Sequence, residues 1–222
     1  MLNREKHRQI MYNILTEIFS GDLSKYLAFK GGTACYFLHN LDRFSTDLDF
    51  DLINSEINID EKLIEILKKY GEIKKAKYNL KLSYSDDDMN IKIDINRNIW
   101  ESNNYERINF YGVDVLVQDK ATILANKLVA LIERIANRDI YDVYFFFKNN
   151  FEINEKVILE RTGKTKKDIF IKILEILKKL PKNHKILDGL GEVLNDEKHK
   201  SFVKNKLIKE LIGLLEFKIN FE

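Results

Sequence analysis

The amino-acid sequence predicts an α+β fold, with a mixed β-sheet and flanking helices in its first half and helices alone in its second half. Stretches of the first half such as "TDLDFDLI" and "NIKIDI" alternate apolar and polar residues, which is the period of a half-buried strand. From about residue 119 the apolar residues recur at helical spacing instead. The 222 residues, 45% of them hydrophobic, suffice for one large or two small domains. We therefore assign residues 1–118 to an α/β domain and residues 119–222 to a helical domain.

The first elements follow from apolar spacing and from glycine. Residues 3–19 carry apolar side chains at helical spacing, and Gly21 ends the predicted helix. The segment "KYLAFKGGTACYFLHNL" predicts a short strand at 26–29, a Gly-Gly turn and a helix to about residue 40. The next strand is "TDLDFDLI", and residues 60–70 form another amphipathic helix that Gly71 closes.

A hairpin and then helices complete the predicted chain. In "KYNLKLSYSDDDMNIKIDINRN", alternating strands near 77–84 and 90–96 flank a polar turn at 85–88. "RINFYGVDVLVQ" supplies one or two more strands. The segment "DKATILANKLVALIERIANRDIYDVYFFFKNN" is helical with a break near Asn137, and most of the remaining chain is helical too.

Composition excludes several classes of protein. The single cysteine, Cys35, excludes an intramolecular disulfide and every metal site that needs several cysteines. The amino terminus is charged from its fourth residue, and no segment approaches the roughly 18 apolar residues of a membrane span. We expect a cytoplasmic protein without a membrane partner. The net charge of +2, from 37 basic and 35 acidic residues, does not by itself indicate a nucleic-acid binder.

The strand "TDLDFDLI" places like charges on one face. Asp47 and Asp49 project to the same side about 6.6 Å apart at the backbone, while Leu48 and Phe50 point to the other side. At an effective dielectric of about 20 this separation costs on the order of 2.5 kcal/mol for an ionised pair. Solvent at an exposed edge can offset the repulsion, and so can a divalent cation. Hard carboxylate oxygens suit Mg²⁺, with Mn²⁺ as the alternative ion.

Two further features favour the metal interpretation. "KGGT" precedes a predicted helix, where backbone N–H groups of Gly31 and Gly32 can approach a phosphate, Thr33 can add a hydroxyl and Lys30 a charge. In "NIKIDI", Asp94 occupies the open face of a strand and can supply a third carboxylate. A phosphate cradle, a metal pair and a general base are what phosphoryl or nucleotidyl transfer requires.

These motifs resemble a known superfamily. The order of Gly-Gly-Thr, "RFSTDLDF" and a later strand aspartate resembles the polymerase-β-type nucleotidyltransferases, whose signature is a Gly-Gly or Gly-Ser turn followed by Dx[DE]. With "FKGGTA" and "ANKLVALIERIANRDIYDVY" added, the chain looks like the AbiEii/AbiGii (MenT-like) toxins of bacterial and archaeal defence and toxin-antitoxin systems. The matching motifs run from Lys30 to about Asp142.

The resemblance implies a nucleotidyltransferase-type sheet and an activity. It implies transfer of a nucleotide from an NTP to an acceptor hydroxyl, on RNA such as a tRNA 3′ end or on a protein. It also implies growth arrest or phage defence, controlled by a cognate antitoxin. The rival enzyme is a metal-dependent nuclease, and the rival from another class is a catalytically inactive module that binds nucleic acid or a partner.

The resemblance also implies roles for individual residues. Asp47 and Asp49 hold the metal, and Asp94 is the base or a third ligand. Lys127 resembles the lysine that reaches the nucleotide's phosphates, and it falls on one basic stripe with Arg134 and Arg138 if the helix is uninterrupted. The predicted nucleotide-binding residues are Lys30, Gly31, Gly32, Thr33, Arg43, Ser45, Lys127, Arg138, Asp139 and Asp142.

Some of these residues have simpler alternative roles. Asp139 and Asp142 can orient Lys127 or Arg138 instead of binding metal. Arg43 can hold a phosphate or neutralise Asp47.

Two charged residues near the metal pair have no predicted role in binding. For Asp51, we prefer a surface residue at the end of its strand over a third ligand. Lys92 shares a face with Asp94, where reducing carboxylate repulsion is a safer role than touching substrate.

Overall fold

A computed structural model describes residues 2–54, 58–75, 79–85 and 90–221 of the chain. The chain divides into two compact units. The first unit comprises Met1–Asn40, Phe44–Ile99 and Asn104–Gln118. The second comprises Leu41–Arg43, Trp100–Asn103 and Asp119–Glu222.

The first unit contains a mixed sheet. Its described strands are β1 (Leu27–Lys30), β2 (Leu48–Leu52), β3 (Glu72–Lys75), β4 (Asn79–Ser83), β5 (Ile91–Asn96), β6 (Tyr105–Phe110) and β7 (Val113–Gln118). They are ordered β3-β4-β5-β2-β1-β7-β6. The acidic strand β2 therefore lies in the middle, antiparallel to β1 and parallel to β5.

The α-helices described in the first unit are α1 (Arg4–Ser20), α2 (Gly31–Leu38) and α3 (Asp60–Lys68). The side chain of Asn3 caps α1 by accepting a hydrogen bond from the Lys6 N–H. Phe50 of β2 packs against α1 and against the neighbouring strand, since its ring lies 6.3 Å from that of Phe19 on α1 and 5.4 Å from that of Phe29 on β1. The alternation of β2 thus directs Leu48 and Phe50 into the core, and the aspartates point to the other face.

The second unit is helical. Its described α-helices are α4 (Lys120–Arg134), α5 (Asn137–Lys148), α6 (Glu155–Thr162), α7 (Lys166–Lys179), α8 (Glu197–Asn205) and α9 (Leu207–Phe221). The aromatic run at 143–147 is buried, as its sequence indicates, and the ring of Phe147 lies 5.4 Å from that of Phe170 on α7. The unit is thus held together by apolar side chains from several helices.

The break near Asn137 is real and has a specific geometry. Ile135, after the last residue of α4, has φ +48° and ψ 48°, the left-handed conformation that commonly ends helices. Its N–H donates to the Leu131 carbonyl. Because α4 and α5 are separate helices, Lys127 and Arg138 do not share one uninterrupted helical stripe.

Most predicted elements agree with the structure, including the hairpin of β4 and β5. Strand β3 was not predicted, because "EIKK" is too short to show alternation. The predicted turn at Asp86–Asp88 lies outside the described residues. No described helix combines the length and the apolar composition needed to span a bilayer.

Candidate active site

The Gly-Gly turn places the start of α2 directly against the acidic strand. Gly31 has φ +77°, and a Cβ added to it would lie 2.3 Å from Oδ2 of Asp49. Only glycine fits there, because that separation is below any real contact and the φ is unfavourable for other residues. Lys30, at the N-cap of α2, makes no side-chain hydrogen bond to the first turn. The amino end of α2, where unpaired N–H groups and the helix dipole favour an anion, thus lies beside a carboxylate.

The backbone leading into β2 is fixed by two side chains. The hydroxyl of Thr33, buried on α2, donates to the carbonyl of Asp47. Nε2 of His7, buried on α1, lies 2.9 Å from the carbonyl of Thr46, and Nδ1 lies 2.7 Å from the Tyr84 hydroxyl. Because a carbonyl only accepts, Nε2 carries the proton. Two consecutive carbonyls are thereby held, and they fix where the Asp47 side chain leaves the backbone.

Asp49 and Asp94 are neighbours across the parallel strands β2 and β5. This register confirms that Asp94 stands beside the acidic strand, as the alternation of "NIKIDI" predicts. Lys92 Nζ donates to Oδ2 of Asp94 at 2.7 Å. Partial burial disfavours the Lys92 charge, but the hydrogen bond to Asp94 and the charges of Asp94, Asp49 and Asp47 raise the pKa of Lys92. Lys92 therefore reduces carboxylate repulsion at this site.

The chemistry of the donor atoms fits a magnesium ion. Asp49 and Asp94 are half-buried carboxylates on one face of adjacent strands, and Asp47 is half-buried at the start of β2. Among the described residues, no group of three or more His, Cys, Asp or Glu side chains is arranged to hold a metal ion. Mg²⁺ often takes only one or two carboxylates and completes its shell with substrate phosphates and water. The residues present could therefore give such an ion one or two carboxylate ligands.

Asp51 is not the surface residue that the sequence predicted. Its side chain is 0% exposed and accepts hydrogen bonds from four side chains. The donors are Lys30 Nζ at 2.6 Å, Asn96 Nδ2 at 2.8 Å, Tyr105 Oη at 2.9 Å and Gln118 Nε2 at 2.6 Å. The prediction was wrong because three of these partners belong to strands that follow Asp51 in the chain by 45 to 67 residues.

A second group of predicted residues forms an ionic cluster inside the second unit. Lys127 Nζ lies 2.9 Å from Asp139 and 2.8 Å from Asp142. Arg43 binds Asp142 through two nitrogens, at 2.7 and 2.8 Å, and Arg134 binds Asp139 at 2.6 Å. The alternative in which the aspartates orient Lys127 therefore agrees with the contacts. The sequence did not indicate that Arg43 pairs with Asp142, because 99 residues separate them.

Burial and pairing act in opposite directions on this cluster. Burial raises the pKa of Asp142, but Arg43 and Lys127 outweigh it and lower the pKa to about 2. For Asp139, burial is likewise outweighed by Lys127 and Arg134, and the pKa is lowered. Burial lowers the pKa of Lys127, yet the two aspartates raise it above its ordinary value. All of these groups are ionised at neutral pH.

The remaining predicted residues are placed as follows. Ser45 is buried in the loop before β2, Gly32 is buried in the first turn of α2, and Nε of Arg138 donates to the Gly189 carbonyl at 2.7 Å. The structure thus brings Lys30 to Thr33, Asp47, Asp49 and Asp94 together in the first unit. The binding roles of the predicted residues in both units stay predictions.

Sequence reasoning missed three partners of Asp51 and also His7. Asn96 follows Asp94 by two residues, so the strand alternation already placed it on the carboxylate face. Gln118, a polar residue that ends the apolar strand "VDVLVQ", was a second signal. Tyr105 and His7 gave no signal, because neither belongs to a recognisable motif.

Comparison with known families matches most of the chain. The family model described as "Nucleotidyl transferase AbiEii toxin, Type IV TA system" matches residues 13–205. A comparison with curated proteins found no significant match.

Several solved structures are similar in fold, among them the following three. A candidate nucleotidyltransferase from H. pylori has 22% identity and a TM-score of 0.63, over 98% of this chain and 95% of its own. JHP933 from Helicobacter pylori has 20% identity and a TM-score of 0.57, over 99% and 97%. The nucleotidyltransferase toxin MenT4 from Mycobacterium tuberculosis H37Rv has 16% identity and a TM-score of 0.59, over 96% and 85%. At these identities the likeness shows the fold alone.

Proposed function

The chain belongs to the AbiEii nucleotidyl transferase toxin family of type IV toxin-antitoxin systems, and from this premise we propose that it is a Mg²⁺-dependent enzyme that transfers a nucleotide from an NTP to an acceptor hydroxyl. The acceptor is RNA, with a tRNA 3′ end as the first choice. The resulting growth arrest, or defence against phage, is controlled by a cognate antitoxin, and the enzyme acts in the cytoplasm.

One observation carries the proposed chemistry. Asp49 lies in register with Asp94 on the neighbouring strand, and its carboxylate touches the first residue of α2, where Gly31 leaves no room for a Cβ. A phosphate that meets the amino end of α2 would thus adjoin the carboxylates that can hold its metal ion. A nuclease needs the carboxylates but has less need of the glycine turn.

The proposed reaction is a displacement at the α-phosphate. The acceptor oxygen forms a bond to the α-phosphorus, the bond from that phosphorus to the oxygen bridging to the β-phosphate breaks, and pyrophosphate leaves. Mg²⁺, held by Asp47 and Asp49, would supply charge stabilisation for the transferred group. Asp94 acts as the general base that takes the proton of the acceptor hydroxyl. Lys92 donates a hydrogen bond to Oδ2 of Asp94, so we assign the proton to Oδ1.

The choice of RNA as acceptor is supported by charge distribution. The segments at 164–182 and 198–209 are rich in lysine, on helices α7 to α9 and the residues that flank them. Lysine side chains at such density suit a phosphate backbone. A protein acceptor is the alternative within the same chemistry.

The test is a transfer assay with labelled NTPs. The wild-type protein is incubated with each NTP labelled at the α-phosphate, Mg²⁺ and total RNA, beside the Asp49→Ala and Asp114→Asn variants. Asp114 is an exposed aspartate near the start of β7 and serves as the matched control. We expect labelled RNA with wild type and Asp114→Asn, and none with Asp49→Ala.

Other results would contradict the proposal in distinct ways. Shortened RNA without incorporated label indicates a nuclease. RNA binding without any chemistry indicates an inactive binding module. Label on the protein fraction instead of RNA would overturn the choice of acceptor and keep the transfer reaction.

A further inference from the structure

The carboxylate of Asp51 is fully committed to protein donors. Oδ1 accepts from Lys30 and Asn96, and Oδ2 accepts from Tyr105 and Gln118. An ionised carboxylate offers about four acceptor positions, so these bonds leave none for a metal ion. Although Asp51 follows Asp49 on the same face of β2, it binds side chains of other strands in the sheet and not a ligand.

Lys30 is the one charged donor in this set. Its side chain is 23% exposed, whereas that of Asp51 is fully buried. Within the part of the chain that the structure describes, Lys30 forms one ion pair, with Asp51 at 2.6 Å. Yet the residue directly opposite Lys30 in the β1–β2 register is Asp49. The Lys30 ammonium therefore pairs with Asp51, two residues further along β2, and not with the directly opposite Asp49.

We propose that Asp51 is a positioning residue that holds the Lys30 ammonium beside Asp49, so that its remaining N–H donors meet the nucleotide's phosphates. The inference rests on the proposed function. An ammonium has three donors, and Asp51 engages one of them. Because Lys30 directly precedes Gly31, its charge is held at the amino end of α2.

The reason for a buried anchor is competition between two carboxylates. Without the charge of Asp51, the acidic group facing Lys30 is Asp49, one strand away and in register. An ammonium that moved onto Asp49 would occupy a predicted metal ligand and withdraw from the phosphates. Removing Asp51 should therefore weaken phosphate binding, and it should do so only through Lys30.

The test is a double-mutant cycle read by binding. Wild type, Asp51→Asn, Lys30→Met and the double variant are titrated with inorganic tripolyphosphate and Mg²⁺ by calorimetry. The Asn96 and Gln118 amides can rotate to present oxygen to the new amide at 51, so the fold should tolerate Asp51→Asn. Tyr105→Phe is the control, because it removes a donor to Oδ2 and leaves the Lys30 bond on Oδ1 intact.

Each single variant should weaken tripolyphosphate binding about tenfold, the loss expected for one charged hydrogen bond. The double variant should also lose about tenfold, not about a hundredfold, because both changes act on one ammonium. Tyr105→Phe should lower the melting temperature and leave binding unchanged. If Asp51→Asn does not fold, Asp51→Glu replaces it, since a longer side chain keeps the charge and displaces the ammonium.

Three results would overturn the inference: no binding by wild type, additive losses in the double variant, or a loss in Tyr105→Phe equal to that in Asp51→Asn. The last would show that the network acts through stability alone. Transfer from labelled NTPs is measured on the same samples. If tripolyphosphate binding shows the expected non-additive losses but no nucleotide is transferred, the proposed function is wrong and the inference stands. If nucleotide is transferred but the losses in binding are additive, the proposed function stands and the inference is wrong.

Discussion

At the scale of single residues, the site depends on the absence of a side chain at position 31. Oδ2 of Asp49 occupies the space where a Cβ would stand, and the backbone there has φ +77°. The sequence predicted a glycine turn from "KGGT", and the structure supplies the reason for the first glycine. The carboxylate and the helix terminus can approach this closely only if residue 31 has no Cβ.

Gly31→Ala should therefore damage both stability and activity. We expect a loss of about 1–3 kcal/mol in the free energy of unfolding, from the strained φ and the displaced carboxylate. Transfer should fall on the order of 100-fold, since Asp49 must move. Denaturant unfolding and the labelled-NTP assay measure the two effects.

Gly112→Ala is the matched control for this prediction. Gly112 also has a positive φ, +87°, but nothing lies within 4 Å of an added Cβ. Gly112→Ala should lower the free energy of unfolding by about 1 kcal/mol and leave nucleotide transfer unchanged. Equal activity losses in the two variants would show that the contact with Asp49 is not what matters.

The same scale shows where reasoning from the sequence alone fails. Asp47, Asp49 and Asp51 alternate identically, and nothing local separates them. The difference arises from Tyr105 and Gln118, which reach Asp51 from strands β6 and β7. That the three aspartates share one face of β2 was predictable, because side chains in a strand alternate with a period of two. The burial of Asp51 was not predictable, because it depends on contacts with strands that are distant in sequence.

At the scale of elements, helices α4 and α5 are joined by an ionic cluster. The pKa of Asp142 is lowered to about 2 because Arg43 and Lys127 outweigh burial. A carboxyl group whose pKa is depressed by folding contributes stability above its unfolded pKa and loses it as the pH falls through the folded value. For Asp142 this window runs from its ordinary value of 3.8 to about 2.

We expect the second unit to lose about 2 kcal/mol of stability through Asp142 across that window. Trp100, the only tryptophan of the chain, belongs to this unit and reports its unfolding by fluorescence. Asp142→Asn should be less stable at pH 7 and less sensitive to pH between about 4 and 2. The exposed Glu152→Gln should follow the wild-type profile, and an Asp142→Asn profile as steep as wild type would contradict the account.

The junction between α4 and α5 offers a change in the opposite direction. Ile135 is a β-branched residue with φ +48°, and the residue is 43% exposed. Glycine adopts this conformation without steric cost, so Ile135→Gly should raise the free energy of unfolding by about 0.5–1 kcal/mol. Ile135→Ala keeps the strained φ and should give no gain. Urea unfolding of both variants decides the matter, and a glycine variant less stable than the alanine variant would refute it.

At the scale of the whole molecule, the sequence predicts which segments are strands and helices, and which residues share a face. It does not predict the order β3-β4-β5-β2-β1-β7-β6, because that order is set by pairings between distant segments. The places of Lys30 to Thr33 in a turn, and of Asp49 and Asp94 on one face of their strands, were predictable because turns and alternation are local. The partners Arg43 and Asp142 were not, since no period relates residues that are 99 positions apart.

The central claim is that the acidic strand and the glycine turn serve nucleotidyl transfer. The most direct measurement compares one NTP labelled at the α-phosphate with the same NTP labelled at the γ-phosphate, each incubated with Mg²⁺ and RNA. The account predicts that the α-label becomes attached to RNA, that the γ-label is released as pyrophosphate, and that Asp49→Ala abolishes both. Attachment of the γ-label to any acceptor, or RNA cleavage without attachment of the α-label, would contradict it.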